Sequence, residues 1–79
     1  MNINLLKSEF VLKDIKIEAA AKELNISKSS MYRKIKGTSE FTRKELQDLM
    51  RVLDLSREKA MEIFFSQEVS KGTQAKKLN

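Results

Sequence analysis

Ser27, Lys28, Ser29, Tyr32, Arg33 and Lys36 stand within ten positions of one another in the stretch NISKSSMYRKIKG, residues 25–37. Their side chains are hydroxyls, a phenol, ammonium groups and a guanidinium. Such groups donate hydrogen bonds and carry positive charge, and they suit recognition of an anion or of base edges. They do not suit covalent chemistry here, because the chain has no histidine and no cysteine. Those are the commonest general base and the strongest side-chain nucleophile. On a helix, Ser29, Tyr32, Arg33 and Lys36 fall at i, i+3, i+4 and i+7 and form one stripe. Met31 and Ile35, four apart, form a different face that would pack inward. A helix fits the major groove of B-form DNA, where donors of this kind reach base edges.

The totals narrow the alternatives. A chain of 79 residues implies one small domain with a limited core. Without cysteine there is no disulfide framework and no cysteine zinc site. No proline and only two glycines favour helices. There is no apolar run of membrane-spanning length and no signal-peptide pattern, so a cytoplasmic protein is expected. No cofactor, metal or small-molecule ligand is implied by any motif. The net charge is +5, and its placement is uneven. Residues 27–44 carry six basic side chains (Lys28, Arg33, Lys34, Lys36, Arg43, Lys44) against the single acid Glu40. Residues 45–65 are net acidic. A local basic patch points to a polyanion partner.

Five helices are predicted to position these groups. Ile3, Leu6 and Phe10, with Leu5 and Val11 beside them, predict a first helix from about Asn4 to Lys13. A second runs from Ile17 to Leu24, with a small-residue face of Ala20, Ala21 and Leu24. Asn25 tolerates the left-handed conformation that ends a helix, and Ser27 is a good N-cap for the next. The third helix, Lys28 to Lys36, ends at Gly37. So short a connection forces a sharp angle, as in a helix-turn-helix. Thr42 and Glu45 make a capping-box pattern for a fourth helix, with Phe41 at the staple position and Leu46, Leu49, Met50 and Leu53 inward. Ser56 caps a fifth, whose expected buried side is Ala60, Met61, Phe64 and Phe65. Residues 66–79 are polar and basic and are expected to be partly disordered.

Counting Ile17 as position one, Ala21 is fifth, Asn25 ninth and Met31 fifteenth. This order resembles the helix-turn-helix of the phage Cro and repressor proteins. In that family the fifth residue is small, the ninth is glycine or asparagine, and apolar residues near four, eight, ten and fifteen lock the turn. Here those are Ala20, Leu24, Ile26 and Met31, and Gly37 follows the recognition helix. The likeness extends over about residues 4 to 65. Two positions depart from it: Ile17 stands where a phosphate-contacting glutamine is usual, and Lys34 stands where an apolar residue is common.

The resemblance implies a compact all-α bundle of five helices, phage repressor-like, over residues 1–65, that binds operator DNA. By position it assigns base contacts to Ser27, Lys28, Ser29, Tyr32 and Arg33. Arg33 is the expected guanine reader. Lys36, Arg43 and Lys44 are expected to meet the phosphate backbone, which supplies affinity rather than sequence choice. It also implies a homodimer on DNA, with Met61, Phe64 and Phe65 as the expected contact. The rival reading is an antirepressor that keeps the fold and binds another regulator through helices four and five. RNA recognition usually uses stacked aromatics, and five aromatics at mostly core-like positions argue against it.

Overall fold

Helix starts in this chain are set by side chains that satisfy free amides. The structure, a computed structural model, describes residues 1–65. Its elements are α1 (Ile3–Leu12), α2 (Ile17–Leu24), α3 (Lys28–Lys36), α4 (Arg43–Val52) and α5 (Arg57–Phe64). Asn2 accepts from the Leu5 amide at 3.0 Å, and Ser27 accepts from Ser30 at 3.0 Å. Thr42 and Glu45 form the complete reciprocal capping box, and Ser56 accepts from Lys59 at 3.1 Å. Only α2 lacks a side-chain cap from its N-cap residue, Lys16. The first helix starts and ends one residue before its predicted bounds, because Asn2 is the cap.

The ends of α1 to α4 follow one device. Asp14, Asn25, Gly37 and Asp54 all have positive φ, at 55°, 61°, 93° and 51°. The next amide in each case reaches five residues back: Ile15 to Phe10, Ile26 to Ala21, Thr38 to Arg33, Leu55 to Met50. That bond closes the helix and turns the chain. Ile15, Ile26 and Leu55 then fold back onto the core.

The core forms where the helices cross. α2 packs on both α3 and α4, and α1 packs on α5. Ala20 and Ala21 are buried at the centre, and their small side chains allow the close approach. Met31 and Ile35 of α3 are buried, as are Leu49 and Leu53 near α4. Leu46 and Met50 are half-buried beside them. The Asn2 amide donates to the Ile63 carbonyl at 2.7 Å and ties the start of α1 to the end of α5. Lys13 pairs with the buried Glu9 at 3.4 Å and also donates to the carbonyls of Leu53 and Asp54. One ammonium thus neutralises a buried acid and the negative end of α4.

On α1 the Leu6–Phe10 side turns inward and Val11 is 79% exposed. Two expectations about the apolar face of α5 are corrected. On α5 the buried set is Ala60, Ile63 and Phe64, at i, i+3 and i+4. Met61 lies about 100° round the helix from Ala60 and is exposed, and Phe65 lies past the last helical residue and is exposed. The expectation of a partly disordered tail over 66–79 lies outside the described residues. Among the described residues no helix is long and apolar enough to cross a membrane.

Candidate nucleic-acid interface

The buried pair Met31 and Ile35 fixes the rotation of α3 about its own axis. With those two side chains inward, Ser29, Tyr32, Arg33 and Lys36 are turned to solvent. All eight residues expected to contact DNA are exposed: Ser27, Lys28, Ser29, Tyr32, Arg33, Lys36, Arg43 and Lys44. Tyr32 is 38% exposed. Among the described residues its hydroxyl makes no hydrogen bond. Among the described residues the Arg33 guanidinium makes no ion pair and no side-chain hydrogen bond, so its forked donors are available.

Three of the eight are already engaged. The Ser27 oxygen accepts from the Ser30 amide as the N-cap of α3, which leaves its O–H to donate. Lys28 pairs with Glu18 of α2 at 3.4 Å. Lys44 pairs with Asp48 one turn along α4 at 3.4 Å. Each is a single ion pair with at least one exposed partner and contributes little to folding.

Lys34 holds α3 against α4. The side chain is only 13% exposed. Its ammonium sits 3.2 Å from Glu45, donates to the Glu40 carbonyl at 2.9 Å, and lies 6.0 Å from the Phe41 ring centroid. An apolar residue at this place would pack by area alone, whereas lysine joins the last turn of α3 to the capping box of α4. That box opens the turn carrying Arg43 and Lys44. The brace therefore couples the stripe on α3 to the two cations of α4. Phe41 and Leu46 border the same cavity beside it, consistent with the staple.

Two carboxylates in this region are held below their ordinary range. For Glu45, burial pushes the pKa up, but the bond from the Thr42 amide and the Lys34 ammonium outweigh it. For Glu18, the bond from its own backbone amide leads, followed by Lys28. Spacing along the chain shows neither the Lys34 brace nor the Glu18 pair, since both partners belong to other helices.

An apolar groove runs between α4 and α5, lined by Leu46, Met50, Ala60, Met61, Phe64 and Phe65 with Arg43 and Arg57 at its rim. Among the described residues no group of three acidic side chains could hold a metal ion. Comparison with protein-family models, with curated proteins and with solved structures returns no match.

Proposed function

We propose that this chain is a sequence-specific DNA-binding transcription regulator, of the phage or prophage Cro-like repressor type, in which α2 and α3 act as a helix-turn-helix. The observation that carries the reading is the division of α3. Met31 and Ile35 are buried, while Ser29, Tyr32, Arg33 and Lys36 form an exposed polar and cationic stripe. A helix so oriented can enter the major groove and bring donors to base edges. Arg33, with two parallel N–H groups, suits guanine. Lys36, Arg43 and Lys44 suit phosphates on either side of the groove. The left-handed Asn25 and the small Ala21 agree with the order that the resemblance rests on.

One recognition helix covers only a few base pairs, too few for a useful specificity ratio against competing genomic sites. Two copies on half-sites about one helical turn, ~34 Å, apart would meet that need. Exposed Met61 and Phe65 beside the α4–α5 groove are the proposed contact between copies. The same groove favours a second reading, an antirepressor that docks another regulator there and leaves DNA alone. Selection of bound duplexes from a random-sequence library separates the two. A regulator enriches a defined, two-fold site, whereas an antirepressor enriches nothing.

A further inference from the structure

The turn between α2 and α3 is bridged by an ion pair whose cation is one of the expected base-reading residues. Lys28 opens α3, Glu18 stands in the first turn of α2, and their charged atoms are 3.4 Å apart. Both side chains are largely exposed, at 64% and 48%, so neither is a core contact. The pair adds little to folding, since exposed ion pairs contribute about 0–1 kcal/mol. Its consequence lies in where it leaves the Lys28 ammonium. Glu18 stands in the first turn of α2, which has no side-chain cap, and its carboxylate is the one ion-pair partner of the Lys28 ammonium among the described residues.

We propose that Glu18 is a positioning residue that acts through Lys28 and raises the preference for operator over random DNA. The inference rests on the DNA-binding reading above. On random duplex the anionic acceptors common to every sequence are the phosphates. An unrestrained Lys28 would swing to the nearest one and strengthen binding to any sequence. The Glu18 carboxylate, 3.4 Å from the ammonium, draws it to the head of α3. From there its N–H donors can meet a base edge that a matching site presents. The Glu18 carboxylate also repels phosphate from the spot Lys28 would otherwise fill. Both effects weaken random binding more than operator binding.

The test is a double-mutant cycle with Glu18→Gln and Lys28→Ala, measured on full-length protein. The two probes are the tightest duplex selected from a random library and an unselected duplex of equal length. Glu18→Gln is expected to tighten random-duplex binding by about threefold to tenfold and operator binding by less, so that the specificity ratio falls. Its salt slope on random duplex steepens by about one phosphate contact. In the Lys28→Ala background Glu18→Gln leaves the ratio unchanged. Glu58→Gln, a charge change on α5, leaves the ratio unchanged too. In the free protein, carbon NMR of the Glu18 carboxyl should show its titration moving up toward the ordinary value when Lys28 is alanine. A ratio that Glu18→Gln does not change overturns the proposal, and so does an effect of the same size without Lys28. A wild-type chain that binds neither duplex overturns the DNA-binding reading itself, a separate outcome visible in the same experiment.

Discussion

Replacing Lys34 by alanine should destabilise the protein far more than an ordinary lysine substitution. The side chain is 13% exposed and its partner Glu45 is 14% exposed, so the pair lies between the surface and the buried limits. Exposed pairs contribute about 0–1 kcal/mol, and breaking a buried one costs about 3–5 kcal/mol. The charge-assisted bond to the Glu40 carbonyl at 2.9 Å is lost as well. Glu45 is not orphaned, because the Thr42 amide still donates to it at 2.9 Å. The expected loss is therefore ~2–3 kcal/mol. In a domain of this size that lowers the melting temperature by roughly 10–20 °C. Lys34→Met keeps much of the apolar stem and should lose about half as much.

Urea and thermal unfolding followed by circular dichroism measure these losses, with exposed Lys22→Ala as the control. Acid sharpens the test. Glu45 has a folded pKa below its unfolded value, so its contribution is present above the unfolded pKa of about 4.3 and is lost as pH falls through the folded one. Wild type should lose that contribution from about pH 5 downward, and Lys34→Ala should lose less of it over the same window. A Lys34→Ala loss no larger than that of Lys22→Ala, or an unchanged acid response, would refute the brace.

Three further outcomes follow from the same geometry. Arg33→Ala should cost ~1–3 kcal/mol on the selected operator and relax the preference at one base pair, whereas Lys44→Ala should weaken operator and random duplex alike; competition binding with single-base variants distinguishes them. Asn25→Gly should leave stability within about 1 kcal/mol of wild type, while Asn25→Val, β-branched at a φ of 61°, should lose ~1–2 kcal/mol or more, as read by urea midpoints. Sedimentation of the operator complex should show two copies per site, and Met61→Lys with Phe65→Lys should reduce it to one; unchanged stoichiometry would place the contact elsewhere.

The parts of the fold legible in the sequence are those set by neighbours along the chain. Ser27, Thr42 with Glu45, and Ser56 cap helices because the amides they satisfy lie within three residues. Asn25 and Gly37 mark turns through their own backbone freedom. Asp14 and Asp54 do the same work less visibly. Each precedes an apolar residue, Ile15 or Leu55, in the pattern of Asn25 before Ile26, and that repeated pairing was the available signal. Face assignment failed on α5 because Met61 and Phe65 are as apolar as the buried Ile63 and Phe64. Composition cannot tell a helix which of two apolar sides to bury; the position of α1 against α5 does. In the candidate site, the exposed stripe on α3 was readable from period alone. Lys34 was not, since a lysine on an amphipathic helix reads as solvated, and its half-buried place depends on Glu40, Phe41 and Glu45 arriving across the turn. The Glu18–Lys28 pair likewise needs the angle between α2 and α3.

The central claim is that the polar stripe of α3 reads duplex DNA. Its most direct test is nuclease footprinting on the DNA flanking the chain's own gene, carried out across a salt series from about 50 to 200 mM. The account predicts protection of a two-fold site with half-site centres about one helical turn apart, lost on Arg33→Ala. It also predicts an affinity that falls by orders of magnitude over that range as neutralised phosphates regain their counterions. No protection and no duplex binding at the lowest salt would contradict it and leave the α4–α5 groove as the functional surface.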